Sequence, residues 1–198
     1  MKIDYNLKMK QQLSQIKSKP SLLLHVCCAP CSSAVLERLK EHFNITLYYF
    51  NPNTYPESEY NLRAEQFAKL TDLPLVVCEY NHNQFLQQIK GYENSPECGT
   101  RCQKCIKLRL ENSFKYAQTN NFDYVTTSLS ISPHKDAQFI NICGETLQNE
   151  YNTTYLYADF KKENGYLNSI NLSKQYDLYR QDYCGCEFSF NFNTSNKT

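Results

Sequence analysis

The sequence has no tryptophan, two methionines and only five glycines in 198 residues. Five glycines leave little material for loops that cradle phosphates, and neither GxGxxG nor GxxxxGK[ST] occurs, so no nucleotide cofactor is expected. Net charge is missing as well. Twenty-one basic against 20 acidic side chains leave +1, which excludes a histone-like or polybasic nucleic-acid binder but leaves room for a local basic patch. No apolar run approaches the roughly 20 residues that cross a bilayer. The opening MKIDYNLKMKQQLSQIKSKP also lacks the apolar stretch of a secretory signal. A cytoplasmic protein without membrane contact is expected. With 41% hydrophobic residues the chain can bury a core.

What the sequence has is cysteine, ten in all. In a reducing compartment that usage argues for metal or redox chemistry rather than structural disulfides. Eight of the ten fall into groups: Cys27, Cys28 and Cys31 in HVCCAPC, Cys98, Cys102 and Cys105 in ECGTRCQKC, and Cys184 and Cys186 in YCGC. Cys78 and Cys143 stand alone and read as small buried hydrophobes.

Hydrophobic patterning predicts a polar N-terminal helix or arm over 1–20. Strands follow at 22–26, 46–50, 73–80 and 122–128, alternating with helices at 32–43, 57–71, 82–89, 100–118 and 134–151, and a further helix near 167–178. That alternation means an α/β fold, a parallel sheet with helices on both faces, in one catalytic domain over 21–190 with a polar tail at 191–198. Open parallel sheets bind ligands beyond the carboxyl ends of their strands. HVCCAPC, NPNTYP and TTSLSISP all leave predicted strands at that edge, which puts Cys27, Cys28 and Cys31 in a cleft. Both adjacent thiols reach one metal assembly only where the backbone kinks, and Pro30 assists that. Cys102 and Cys105 lie three apart on one helical face, where Arg101 and Lys104 are expected to lower the thiol pKa.

Four thiolates suit zinc or an iron–sulfur cluster, and spacing alone does not separate them. A structural zinc site leaves the CGC pair unused. The CxxxCxxC spacing of Cys98, Cys102 and Cys105 resembles the radical S-adenosylmethionine motif, but that motif belongs in a barrel of about 250 residues. A thiol–disulfide oxidoreductase with its CxxC at 28–31 leaves the other groups unexplained. A cluster with a separate redox dithiol accounts for more of the thiols.

Taken in order, HVCCAPCSS, YFNPNTYPESEYNLR, ECGTRCQKCIKLRL, TTSLSISPHKD and YRQDYCGC resemble the QueH family of epoxyqueuosine reductases, over roughly 22–190. The resemblance implies an adenine-nucleotide α-hydrolase-like fold whose phosphate loop is replaced by cysteines, with a Cys-rich metal site at the carboxyl edge of the sheet. It implies an oxidoreductase of tRNA processing that reduces epoxyqueuosine in tRNA to queuosine, the last step of queuosine biosynthesis, fed by an external electron donor. The same resemblance implies a 4Fe–4S cluster on Cys27, Cys28, Cys102 and Cys105, and a redox-active pair at Cys184 and Cys186. It also implies an additional iron, to which Cys31 contributes. His134, Asp136 and Tyr183 are candidate proton donors through their proximity to the motifs. Arg101, Lys135 and Arg180 are candidates for RNA phosphates, and Tyr48, Tyr49, Tyr55 and Tyr183 for base stacking.

Overall fold

Leu22, Leu23 and Leu24 are all fully buried, because their strand, β1 (Ser21–His25), runs through the middle of a sheet covered on both faces. Each such leucine stabilises the fold by about 1.5–3 kcal/mol. The computed structural model describes residues 2–189; the tail expected at 191–198 lies outside the described residues. After α1 (Tyr5–Gln15) and β1 come α2 (Ala29–Leu39), β2 (Asn44–Tyr49), α3 (Glu57–Glu65), α4 (Phe67–Leu70) and β3 (Leu75–Val77). The second half carries α5 (His82–Ile89), α6 (Thr100–Thr119), β4 (Tyr124–Thr127), a 3-10 turn (Ser128–Ile131), α7 (Ala137–Glu150), β5 (Thr154–Tyr155) and α8 (Gly165–Gln175).

The five strands lie in the order β3-β2-β1-β4-β5, and every neighbouring pair is parallel. Successive side chains of a strand point to opposite faces. Leu22 and Leu24 therefore join one core with Ile45, Leu47 and Tyr49, while Leu23 joins the other with Tyr48 and Val125. Helices α2 and α8 cover the first face, and α6 and α7 cover the second. The α/β class with helices on both faces is as expected. Chain order runs outward from β1 through β2 to β3, then resumes on the other side with β4. The reversal lies between β1 and β4, a crevice where such sheets bind ligands.

Several boundaries differ from the sequence expectation. Helix α2 starts three residues early, at Ala29, which makes Cys28 its N-cap and draws Cys31 into its first turn. Helix α7 starts late, because Asp136 caps it by accepting from the Gln138 N–H at 2.8 Å. The expected strand at 73–80 pairs only over three residues; Pro74 has no N–H to give the ladder and contributes its carbonyl alone, to Leu47 N–H at 2.8 Å. The helix expected at 57–71 is broken at Gln66. Strand β5, two residues long, was not anticipated. Among the described residues no helix is long and apolar enough to cross a membrane.

Candidate metal and redox site

Strand β1 delivers Cys27 to the carboxyl edge of the sheet, and the chain turns there into α2. Cys28 sits at the turn in extended backbone, with Pro in the first helical positions and no side-chain oxygen capping the helix. The sharp change from strand to helix brings three sulfurs together. The Sγ atoms of Cys27, Cys28 and Cys31 lie within 4.8 Å of one another, and Cys27 and Cys28 are 3.8 Å apart. This is the one group of three or more potential metal ligands among the described residues. A helix N-terminus favours negative charge, which suits thiolates. The triad carries its charge on Cys27: hydrogen bonds from Cys28 and Cys31 hold that thiol well below its ordinary pKa, helped by Arg109 and Lys135. The same bonds push Cys28 up to about 12 and Cys31 upward too. Ser128, leaving β4, stands 3.9 Å from Cys27 Sγ across the crevice.

The second thiol group opens α6. Cys102 and Cys105 share a face of its first turns, and Cys102 Sγ accepts from Cys98 N–H at 3.3 Å. Burial raises both thiols, Cys105 to about 11. Arg101 and Lys104 do not act on them as expected. Arg101 is buried with its guanidinium bonded to the carbonyls of Glu93 and Ser95, and Lys104 lies over the Tyr92 ring. The cations that do bear on Cys105 are Arg109, one turn further along α6, and Lys135.

The third group is the Cys184-Gly185-Cys186 turn. Lys135 Nζ donates to Cys184 Sγ at 3.1 Å. Burial works against ionisation there, but Lys135 and then Arg109 outweigh it and pull Cys184 below its ordinary pKa. Burial raises Cys186, whose Sγ faces Ser189 Oγ at 3.5 Å. Arg180, a candidate for RNA phosphates, contacts Ser173 Oγ and the Tyr166 ring at the cavity. The turn is fixed by Tyr55 N–H donating to Gly185 O at 2.8 Å and Arg63 donating to Cys184 O at 3.3 Å. His82 bridges Pro52 O and the Glu187 carboxylate, tying the segment to α5.

A cavity of about 350 Å³ joins these groups; Cys27, Cys31, Cys184, Arg63, Arg109 and Lys135 are in its wall. A small cavity of about 20 Å³ adjoins it through shared walls, lined by Cys102, Cys105, Cys184 and Cys186 together with Arg109 and Lys135. Six of the seven expected site cysteines thus line these two cavities, Cys28 lies buried behind Cys27, and the triad can hold a metal ion. Cys102 and Cys105 lie outside the 4.8 Å group, and Arg109 and Lys135 are in the walls of both cavities. A larger, open concavity of about 920 Å³ lies at the opposite, amino edge of the sheet and has no cysteine in its lining.

Other expected residues fall elsewhere. Tyr48 and Tyr49 are buried, with hydroxyls bonded to Asn112 and Tyr60 O, and present no face to a base. Tyr55 is exposed, and Tyr183, in the cavity wall, donates to Tyr55 O. Asp136 is occupied as a cap. His134 is exposed at the cavity, and its carbonyl accepts from Cys98 Sγ. Cys78 and Cys143 are half-buried against the α6–α7 side of the core. Sequence reading gave Arg63, Arg109 and His25 no role; Arg63 and Arg109 line the cavity, and Arg109 contacts His25. His25 is fully buried and pushed down to about 3, by burial first and then by Arg109.

The family model for epoxyqueuosine reductase QueH matches residues 22–191, nearly the whole chain. The chain belongs to the QueH family. Among its relatives, the epoxyqueuosine reductase QueH of Streptococcus pyogenes serotype M1 is 41% identical over 201 residues, covering 95% of this chain and 78% of the relative. That of Staphylococcus epidermidis is 40% identical, covering 95% and 85%. The Thermotoga maritima QueH, more distant at 31%, still covers 85% of this chain and 90% of its own length. The QueH match spans all three cysteine groups.

Proposed function

We propose that this chain is an epoxyqueuosine reductase, which reduces the epoxide of epoxyqueuosine in tRNA to the alkene of queuosine. The observation that carries this reading is the convergence of Cys27, Cys31 and Cys184 with Lys135 on one cavity at the sheet crevice, in a chain of the QueH family. Cys27, Cys28, Cys102 and Cys105 would hold a 4Fe–4S cluster, with Cys31 as a ligand to an additional iron. The donor set fits: thiolates are the ligands of such clusters, and a cluster spreads its ligands wider than a single ion does. Arg109 and Lys135, which bear on both Cys27 and Cys105, offset the charge that thiolates bring. When bound, the cluster supplies single electrons.

The chain's own residues account for the electron balance. Converting one epoxide to an alkene and water consumes two electrons and two protons. Oxidising the Cys184 thiolate and the Cys186 thiol to a disulfide releases two electrons and one proton; solvent supplies the second proton, and an external reductant restores the pair. Lys135 outweighs burial and lowers the pKa of Cys184 beside the cavity, while burial raises that of Cys186 behind it. The cavity is walled by Arg63, Arg109, Lys135 and Arg180, which suits an RNA substrate whose phosphates flank the modified base.

A second reading rests on the triad alone. Two thiolates on one tetrahedral zinc, each at about 2.3 Å, lie about 3.8 Å apart, and the Cys27–Cys28 separation is 3.8 Å. A zinc-holding tRNA-binding module would have that geometry without reductase activity. The experiment that tests the main reading supplies anaerobically prepared protein with reductant and epoxyqueuosine-containing tRNA, then analyses the nucleosides. Queuosine is expected. Epoxyqueuosine left unchanged by protein with a full iron complement would remove the reductase reading.

A further inference from the structure

Arg109 is 2% exposed, and a guanidinium keeps its charge even when buried. A buried charge is costly unless an opposite charge answers it. None of the ion pairs among the described residues involves Arg109. Its hydrogen-bond partners are neutral: Nε donates to His25 Nε2 at 3.4 Å, and Nη2 donates to Asn51 Oδ1 at 2.5 Å. His25 Nε2 also lies 3.2 Å from Phe50 O, and its Nδ1 lies 2.8 Å from Thr127 Oγ1. Asn51 in turn donates to Val26 O at 2.9 Å, the carbonyl directly before Cys27. What answers the charge is sulfur, for Arg109 acts on Cys27, Cys105 and Cys184, and it lines both cavities.

We infer that Arg109 is a positioning residue for the thiol site, one that locks the Cys27 half to the Cys105 half and supplies the fixed positive charge that keeps the reduction potential of the bound centre up. This rests on the cluster reading above. The locking follows from connectivity. Arg109 is one helical turn beyond Cys105 on α6, and through His25 and Asn51 it grips the backbone on either side of Val26. Its fork therefore fixes the distance between two thiol pairs that are 74 residues or more apart in sequence. The electrostatic part follows from position. Each electron added to a thiolate-bound centre adds negative charge, and a nearby cation in a water-poor site stabilises that state more than the oxidised one.

The test is a potentiometric titration of the reconstituted holoprotein, read by its electron paramagnetic resonance signal, for wild type, Arg109→Gln, Arg109→Lys and Asn51→Asp. Arg109→Gln is expected to lower the midpoint by about 59 mV or more, a tenfold shift in the one-electron reduction equilibrium. Arg109→Lys keeps the charge and is expected to stay within about threefold of wild type in that equilibrium. Should Arg109→Gln fail to hold the centre, Asn51→Asp decides, because it sets a carboxylate against the guanidinium and cancels its charge in place. A lowered midpoint in Asn51→Asp supports the inference. A loaded Arg109→Gln or Asn51→Asp with the wild-type midpoint overturns it, and so does an equal fall in Arg109→Lys. Wild-type protein that cannot be loaded at all takes down the cluster reading itself, a distinct outcome.

Discussion

Lys135 Nζ lies 3.1 Å from Cys184 Sγ and donates a hydrogen bond to it. Lys135 precedes α7 and Cys184 follows α8, so the contact joins two loops 49 residues apart and sets the polarity of the dithiol. Cys184 borders the larger cavity with its pKa lowered, whereas Cys186 is 6% exposed with its pKa raised. Cys184 is the thiol of the pair that faces this cavity.

Replacing Lys135 by Met removes the charge that lowers the Cys184 pKa. Alkylation of Cys184 by iodoacetamide, followed by peptide mass spectrometry, is expected to slow at neutral pH. The sign follows from the lowered pKa: the thiolate forms above it, so removing the cation moves the rate profile to higher pH. Lys135→Arg should restore most of the rate. An unchanged profile in Lys135→Met would show that the hydrogen bond has no influence on the sulfur.

Cys184→Ser and Cys186→Ser are expected to keep the metal centre and lose turnover. Iron content measured beside queuosine formation separates the roles. If either variant is stripped of iron, that sulfur is a ligand rather than half of a redox couple. Retained activity in both would make the pair structural.

Gly185 has φ +115°, and a Cβ there would sit 2.8 Å from Arg63 Nη1. Gly185→Ala is expected to destabilise the protein by about 1–3 kcal/mol in urea unfolding, the cost of a backbone conformation that L side chains resist. Because Arg63 also bonds to Cys184 O, turnover should fall further than stability alone explains. A variant as stable and active as wild type would show that the turn relaxes freely.

Which parts of this were legible in the sequence follows from which residues advertise themselves. Cys27, Cys28 and Cys31 end a run of buried leucines, so their place at a sheet edge could be read directly. The alternation of apolar runs gave four of the strands. β5 escaped because Thr154–Tyr155 is too short to show a period. The cations were misjudged for a different reason. Arg101 and Lys104 neighbour the CxxC in sequence, but helical geometry turns them toward Glu93 O, Ser95 O and Tyr92. Arg109 and His25 looked like ordinary polar positions, since nothing local marks a charge that is buried by partners 58 and 84 residues away. Lys135 was read as a phosphate contact, and its bond to Cys184 depends on a tertiary approach that no spacing encodes.

The most direct test of the central claim, that the thiols of two separated segments hold one metal centre, is iron and labile sulfide analysis of anaerobically reconstituted protein. Wild type and Cys78→Ala are expected to carry the full complement of a 4Fe–4S cluster, while Cys27→Ala and Cys102→Ala each lose it. Stoichiometric zinc without sulfide in the wild type, or a Cys102→Ala variant that retains the whole cluster, would contradict the account.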